Sequence, residues 1–204
     1  MNYSIVRHIA DYLVGELSEY CLPGYCQVAG GMRREKADVH DLEIVCIPTP
    51  GAPRPEFGQK RIFTSRLDQV LYRLECAERL GRREKDGEKY KKIAINLKDF
   101  GIQTIERFYL DLFIVRPETW GVQFAIRTGP AEFSKKCVTA RSWGGWLPDH
   151  MKVAEGLLWD TKTESVIPTP NEEAFFDAIG LGWIEPRERA DRIGVHLHGC
   201  VEAS

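Results

Sequence analysis

The sequence lacks any apolar run long enough to cross a bilayer, which excludes an integral membrane protein. It has no internal repeat and no low-complexity segment, and its hydrophobic fraction of 43% and charged fraction of 28% exclude intrinsic disorder for most of the chain. The first seven residues lack the charged and apolar regions of a secretory signal, and neither end carries a lipidation signal. We therefore expect a cytoplasmic protein with no membrane partner.

A surplus of positive charge is also absent, since 28 lysines and arginines face 30 aspartates and glutamates, for a net charge of −2. This balance argues against a generic nucleic-acid binder. The charges are unevenly spread, however. Residues 54–98 carry a surplus of six positive charges, residues 127–141 a surplus of three, and residues 155–191 a surplus of six negative charges. Solvated helix faces explain such runs of charge. Alternatively, the basic runs form a side of the protein that faces an anion, and the acidic run forms the opposite, outer side.

Cysteine is sparse and scattered, with six thiols in 204 residues. Disulfide frameworks are typical of short secreted chains, so we interpret these cysteines as reduced core thiols. Cys21 and Cys26 make a poor half of a zinc site because no second pair follows them. The segment His-Leu-His-Gly-Cys at residues 196–200 contains residue types that ligate metals, but such residues near a terminus are usually incidental.

The length and the hydrophobic fraction of 43% together allow a sizeable core in one large domain or two small ones. Apolar residues at helical spacing predict a first helix over residues 3–20, with Ile5, Ile9, Leu13 and Leu17 on one face. Pro23-Gly24 then breaks the chain. Next come a predicted strand over residues 25–29 that ends in a Gly-Gly turn and a central strand over 42–47 that is buried on both faces. A proline-rich loop over 48–60 leads to a helix that begins at the Ser65 N-cap and ends at Gly81. A charged turn over 82–88 and strands over 90–97 and 102–115 follow.

The sheet pattern ends near Arg116, where we place a domain boundary. Beyond it the sequence predicts helices over residues 119–126, 131–139 and 172–179, and a hairpin over 157–166. Trp143 and Trp146 lie in a glycine-rich loop, and we expect them to pack on their own domain rather than to stack on a nucleobase.

Three carboxylates are candidates for a metal site. Asp41 and Glu43 are two residues apart on a predicted strand, so both point to one face, and the strand of Asp111 can lie alongside. Converging carboxylates repel one another unless cations neutralise them, and oxygen ligands suit Mg²⁺ or Mn²⁺. Two such ions can clamp the attacking and leaving oxygens of a phosphoryl transfer. The alternative is structural: Asp41 begins the strand, Glu43 is exposed and Asp111 pairs with an arginine.

The run Gly30-Gly31-Met32-Arg33-Arg34 directly follows a predicted strand. Paired glycines let a backbone approach a bulky anion, and exposed N–H groups at a turn can cradle phosphate oxygens. Arg34 adds a permanently charged fork for a phosphate. A plain turn with solvent-facing arginines is the alternative, but the Asp-x-Glu on the next strand favours phosphate binding.

This combination resembles the nucleotidyltransferase superfamily and, within it, the family X DNA polymerases of the polymerase beta group. The resemblance runs from about residue 25 to residue 190. Gly31-Met32-Arg33-Arg34 is similar to the Gly-Ser-Phe-Arg-Arg of that family, and Leu110-Asp111-Leu112 to its strand with the third carboxylate. Residues 128–136 resemble the segment that opens the thumb, residues 155–160 its glycine-leucine hairpin, and residues 172–189 its closing motif.

The resemblance implies an α/β (α+β) fold: a palm over residues 1–116, with a mixed central sheet flanked by helices, and a small thumb over residues 117–204. It implies addition of a nucleotide from a nucleoside triphosphate to a 3′-hydroxyl of DNA, with release of pyrophosphate. Asp41, Glu43 and Asp111 would ligate two Mg²⁺ ions, with Mn²⁺ as a substitute, and Asp111 would lie nearest the primer hydroxyl. The implied partners are primer-template or gapped DNA and a dNTP, with an NTP as the alternative, and we expect a monomer.

The resemblance also implies contacts with the nucleotide and with DNA. The nucleotide-binding positions are Gly30, Gly31, Arg34, Arg127, Gly129 and Ser134, of which Gly31 and Arg34 would contact the β- and γ-phosphates. Lys135 and Lys136 would face the template or the incoming base. From its charge alone, the positive run can track a nucleic-acid backbone through Arg82, Arg83, Lys91 and Lys92, although a solvated helix and hairpin explain it nearly as well.

Several positions depart from the family pattern. Glu43 replaces an aspartate, Gly31 a serine, and Ser134 an asparagine that reads the base, while Ile126-Arg127 replaces a Tyr-Phe pair at the sugar. The choice between dNTP and NTP therefore stays open. Lyase activity is not expected, because no lyase domain precedes the palm. The compact form resembles minimal viral members of the family, for which the host cytoplasm is the expected location, and a role in DNA repair is implied by the family alone.

Two rival functions remain open from the sequence. The first keeps the metal site but transfers the nucleotide to RNA, a small molecule or a protein, as Arg127 and the acidic balance suggest. The second is a catalytically silent nucleic-acid-binding relative. The intact carboxylate set argues against it, because buried unpaired carboxylates cost several kcal/mol.

Overall fold

The computed structural model describes residues 1–51, 65–104 and 107–194. The chain forms two compact units, Met1–Arg116 and Pro117–Ser204, each with its own hydrophobic core. The predicted α/β fold is confirmed. In the described ranges no helix is long and apolar enough to span a bilayer. The segment 196–200 and most of the predicted loop over 48–60 lie outside the described residues.

A five-stranded mixed sheet forms the frame of the N-terminal unit. Its strands are β1 (Cys21–Val28), β2 (Leu42–Pro48), β3 (Leu80–Asp86), β4 (Tyr90–Ile95) and β5 (Tyr109–Ile114). They are arranged in the order β1-β2-β5-β4-β3. Strands β2 and β5 run parallel, and all other neighbours are antiparallel.

In the described part of this unit, the α-helices that accompany the sheet are α1 (Tyr3–Ser18), α2 (Gly30–Arg33) and α3 (Arg66–Cys76). The predicted cap of α3 is present, since the Ser65 hydroxyl accepts the Asp68 backbone N–H at 3.1 Å. The buried face of α1 includes Val6, Ile9 and Leu13, whereas Ile5 is 41% exposed, so its predicted place on that face is wrong.

Helices α1 and α3 pack on one face of the sheet, because alternate residues of the strands are apolar and point to them. On β2 these are Leu42, Ile44 and Cys46, and on β5 they are Leu110 and Leu112. The intervening residues of both strands, Glu43 and Asp111 among them, therefore belong to the opposite face. Strand β2 is buried on both faces from Ile44 to Ile47, as predicted.

Local signals misled the strand predictions at three places. Pro23-Gly24 lies inside β1, where the register with β2 shifts, instead of breaking the chain before it. Helix α3 ends at Cys76, and the charged run read as a turn forms β3, an edge strand on which charges are common. Of the strand predicted over 102–115, Tyr109–Ile114 is strand.

The C-terminal unit contains helices α4 (Trp120–Thr128), α5 (Ala131–Val138) and α6 (Glu172–Ala178) and a three-stranded antiparallel sheet of β6 (Met151–Ala154), β7 (Leu157–Asp160) and β8 (Ser165–Ile167). Strand β6 was not predicted. Trp146 is buried against Phe133, as expected, but Trp143 is 85% exposed, so the prediction that it packs is wrong.

A fully buried arginine lies at the centre of this unit. Arg189 pairs with Glu172 at 2.9 Å and donates to the Ile184 carbonyl at 3.2 Å. Its guanidinium carbon lies 4.9 Å from the ring centroid of Phe176. This cation thereby links α6 to the segment after it.

The described cysteines are free thiols, as predicted. Cys21, Cys26, Cys46 and Cys137 are buried, whereas Cys76 is exposed at the end of α3, so its predicted place in the core is wrong. Burial raises the pKa of Cys137 to about 12, so its thiol stays protonated and inert.

Candidate active site

Two of the predicted metal carboxylates lie opposite each other on neighbouring strands. Glu43 of β2 and Asp111 of β5 are register partners in the parallel pair, so both belong to the same sheet face. Asp41 precedes β2 by one residue and shares this face by alternation. Burial raises the pKa of Asp41, the nearby Asp111 charge raises it further, and Lys92, His40 and Arg34 oppose the shift. The structure thus brings Asp41 and Asp111 within electrostatic reach of each other.

Gly30 provides the space in which the Glu43 carboxylate lies. A Cβ atom on Gly30 would stand 1.4 Å from Glu43 Oε2, and the glycine has a positive φ of 57°. The backbone is fastened beside it, because Ala29 donates its N–H to the Glu43 carbonyl at 2.8 Å. The close approach of Glu43 therefore requires glycine at position 30 and not at position 31.

Arg34 lies on the same side of the unit as the carboxylates. It follows α2, and its backbone N–H donates to the Gly30 carbonyl at 3.2 Å. Burial lowers the pKa of its guanidinium, and the nearby Glu43 and Asp41 charges oppose that shift. A Cβ on Gly31 would stand 3.9 Å from Arg34 Nη2, which places this guanidinium next to the Gly-Gly backbone.

Strand β4 adds two side chains to the site. Lys92 is the register partner of Asp111, and its Nζ lies 4.6 Å from the Tyr109 ring centroid. The Tyr90 hydroxyl donates to Asp111 Oδ1 at 2.5 Å. Sequence reasoning missed Tyr90. The Tyr-x-Lys alternation put both residues on one face, but nothing in the sequence paired β4 with β5.

The donor set fits Mg²⁺ by its chemistry, since carboxylate oxygens are the ligands this hard cation prefers. Burial is the largest cause of the raised pKa of Asp41, and the Asp111 charge adds to it, so a bound cation would stabilise the ionised carboxylates. As the side chains stand, no group of three or more His, Cys, Asp or Glu residues within the described ranges is arranged to hold a metal ion. Glu43 instead lies over Gly30, and Asp111 accepts from Tyr90.

Two residues predicted to contact nucleic acid belong to an internal ion network. Arg83 pairs with Glu75, Asp68 and Asp86, and its side chain is 11% exposed. Lys91 pairs with Asp86 at 2.5 Å and Asp68 at 3.0 Å, with 6% exposure. Both cations are therefore held inside the unit, which corrects their predicted role. Arg82 is exposed and Lys92 half-buried, so these two stay candidates.

The C-terminal unit holds the remaining predicted residues near the junction of α4 and α5. A Cβ on Gly129 would stand 2.6 Å from Phe133 Cδ1, so only glycine fits there. The Ser134 hydroxyl donates to the Ile126 carbonyl at 2.6 Å. Arg127 is half-buried in the last turn of α4.

The two lysines of α5 differ in their surroundings. Lys135 is exposed. Lys136 donates to the Ile193 carbonyl at 2.8 Å and lies 5.5 Å from the Trp146 ring centroid. Lys136 thus has a structural contact inside its own unit, and its contact with DNA stays a prediction.

Two comparisons with known proteins found similar sequences. Residues 127–190 match the family model described as DNA polymerase beta thumb. The chain is 24% identical over 171 residues to DNA polymerase lambda of Rattus norvegicus. The chain is family X polymerase-like. The predicted resemblance is thereby confirmed, and Arg127, Gly129 and Ser134 all fall within the matched thumb domain.

The polymerase lambda match covers 80% of this chain but 28% of the relative. The chain therefore spans little more than a quarter of the length of that relative. Residues 127–190, which match the thumb model, include Arg189 and Glu172 and therefore the buried ion pair of the C-terminal unit.

Proposed function

We propose that the chain is a Mg²⁺-dependent nucleotidyltransferase that adds a nucleotide to a 3′-hydroxyl of DNA and releases pyrophosphate. The observation that carries the proposal is the pairing of Glu43 with Asp111 across β2 and β5, with Asp41 in electrostatic contact with Asp111. Arg34 next to the Gly-Gly backbone supplies a cation on the same side. A relationship to family X polymerases supports this reaction over other uses of such a site.

In this reaction the 3′-hydroxyl oxygen attacks the α-phosphorus of the triphosphate. The bond from the α-phosphorus to the bridging oxygen breaks, and pyrophosphate leaves. Asp111 would accept the proton of the hydroxyl. Arg34 binds the β- and γ-phosphate oxygens through its planar fork, and the Gly30-Gly31 backbone lets those oxygens approach.

Asp41, Glu43 and Asp111 would hold two Mg²⁺ ions or, as a substitute, Mn²⁺. The ions would supply Lewis-acid stabilisation of the phosphoryl charge and lower the pKa of the hydroxyl. Gly30 leaves room for Glu43, and Lys92 and Arg34 balance part of the carboxylate charge.

The other contacts of the proposal lie on two surfaces. In the thumb, Arg127, Gly129 and Ser134 would contact the nucleotide, and exposed Lys135 the DNA. In the N-terminal unit, Arg82 and Lys92 would contact the DNA backbone as fixed positive charges.

The test is nucleotide incorporation on a labelled primer. Single-stranded, template-paired and one-nucleotide-gapped DNA are compared with each dNTP and NTP in Mg²⁺ and in Mn²⁺. We expect template-matched extension that is best on one DNA form. Metal-dependent nucleotide binding without extension of any DNA would instead favour transfer to RNA, a small molecule or a protein. Absence of both would favour a catalytically silent relative.

Replacing Gly30 with alanine should reduce nucleotide incorporation strongly and lower the free energy of unfolding only modestly. The variant places a Cβ where the Glu43 carboxylate lies, and Glu43 must turn away. We expect at least a hundredfold loss of nucleotide incorporation, because displacing a catalytic group by about 1 Å costs about that much. The positive φ should lower the free energy of unfolding by about 1–3 kcal/mol. Primer extension and urea unfolding followed by far-UV circular dichroism measure the two effects.

Gly24→Ala is the matched control for this substitution. Gly24 also has a positive φ, of 82°, but a Cβ there meets nothing within 4 Å. It should lower stability by a similar amount and leave incorporation within twofold of the unsubstituted chain. Equal losses of activity in the two variants would show that activity does not depend on the space that Gly30 leaves for Glu43.

A further inference from the structure

Tyr90 of β4 contacts the site but has no role in the reaction described above. Its hydroxyl donates to Asp111 Oδ1 at 2.5 Å. Its ring is stacked on Phe113, with centroids 5.1 Å apart and an interplanar angle of 22°. Phe113 is also the register partner of Tyr90, two residues beyond Asp111 on β5. Backbone pairing and ring stacking therefore both fix the place from which the hydroxyl donates.

We propose that Tyr90 is a positioning residue that orients the Asp111 carboxylate, an inference that rests on the function proposed above. The hydrogen bond occupies Oδ1 and restricts rotation of the carboxylate about its last bond. Oδ2 is thereby held in one direction for a cation or for the proton of the primer hydroxyl. Groups outside the ligand set that orient ligating carboxylates in this way are worth about 10- to 100-fold in metal affinity or activity.

The other groups around Asp111 do not fix the orientation of its carboxylate. Asp111 is 8% exposed, so water contributes little to its orientation. Glu43 and Asp41 repel it and cannot donate when ionised. Lys92 is opposite Asp111 in register and attracts it, but its ammonium is a point charge that does not select one carboxylate oxygen. The Tyr90 hydroxyl does select one.

Tyr109 provides a matched control one strand away. It is also a half-buried tyrosine whose hydroxyl donates to a carboxylate, but its acceptor is Glu84 Oε1 at 2.7 Å. Glu84 is exposed and is no part of the carboxylate set. Phenylalanine at either position removes a single hydroxyl and keeps the ring. The ring contacts with Phe113 and with Lys92 are then retained, so both variants are expected to fold.

The experiment compares Tyr90→Phe and Tyr109→Phe in the full chain. Mn²⁺ affinity is measured by electron paramagnetic resonance without DNA, and kcat and KM by single-nucleotide extension of a primer. For Tyr90→Phe we expect about tenfold weaker Mn²⁺ binding and at least a tenfold lower kcat, with the KM for the nucleotide within twofold. For Tyr109→Phe we expect every value within twofold of the unsubstituted chain.

Each other outcome overturns a defined part of the inference. If Tyr90→Phe lowers Tm but leaves Mn²⁺ affinity and kcat as in Tyr109→Phe, Tyr90 has a structural role only, and the proposed function stands. The same holds if neither variant changes anything. If the unsubstituted chain neither binds Mn²⁺ nor extends a primer, the proposed function fails and the role of Tyr90 fails with it.

Discussion

Asp111→Asn is expected to reduce nucleotide incorporation about a thousandfold or more, while the chain stays folded. The substitution removes the proton acceptor and one of the three anionic ligands, each of which contributes about a hundredfold or more to such a reaction. Asparagine has the same shape, and its amide oxygen can still accept from Tyr90. Single-turnover extension of a primer measures the loss.

The stability of the same variant gives an independent check. The Asp111 charge contributes to the raised pKa of Asp41, because the two carboxylates repel each other. Asparagine carries no charge and removes this repulsion, so we expect an equal or higher Tm. Asp177→Asn is the control, because Asp177 is an exposed carboxylate on α6 in the other unit. It should leave both activity and Tm unchanged. More than a tenth of the activity remaining in Asp111→Asn would contradict the role of this carboxylate.

Arg189→Met is expected to lower the free energy of unfolding of the thumb by about 3–5 kcal/mol. The substitution removes the cation that pairs with Glu172, a carboxylate that is only 5% exposed, and losses of this size follow when one member of a buried pair is removed. All five tryptophans of the chain lie beyond residue 117, so tryptophan fluorescence during urea unfolding reports on this unit alone.

Two further variants separate the ion pair from general effects of the substitution. Combined Arg189→Met and Glu172→Leu should regain a large part of the loss, because a buried pair replaced by apolar groups is often close to neutral. Arg192→Met changes an exposed arginine three residues away and should stay within about 0.5 kcal/mol. If Arg189→Met costs no more than Arg192→Met, the buried pair does not stabilise the thumb.

The sequence predicted the parts of the fold that depend on neighbouring residues. The α1 periodicity, the Ser65 cap and the buried β2 strand all rest on local spacing or local hydrogen bonds, and each is present. Strand β3 was missed because its charged residues look like a turn. They are stabilised as a strand by pairing with β4 and by ion pairs with α3, which no local pattern reveals.

The same distinction applies to the site. The two-residue spacing predicted one face for Asp41 and Glu43, whereas nothing in the sequence determined the strand order that makes Asp111 the register partner of Glu43. The surroundings of single cations could not be predicted. Lys91 and Lys136 differ from exposed lysines only through partners elsewhere in the chain, the latter through a carbonyl 57 residues away. Tyr90 was missed for the same reason, since its acceptor is 21 residues away on another strand.

The balance of products in one reaction tests nucleotide transfer by this chain most directly. A primer with a 3′-hydroxyl, one dNTP and Mg²⁺ are mixed with the chain, and extended primer and pyrophosphate are both quantified. We expect one pyrophosphate per nucleotide added, with neither product formed when the primer lacks the 3′-hydroxyl or the chain carries Asp111→Asn. Pyrophosphate released without extension, or extension unchanged in Asp111→Asn, would contradict nucleotide transfer at this site.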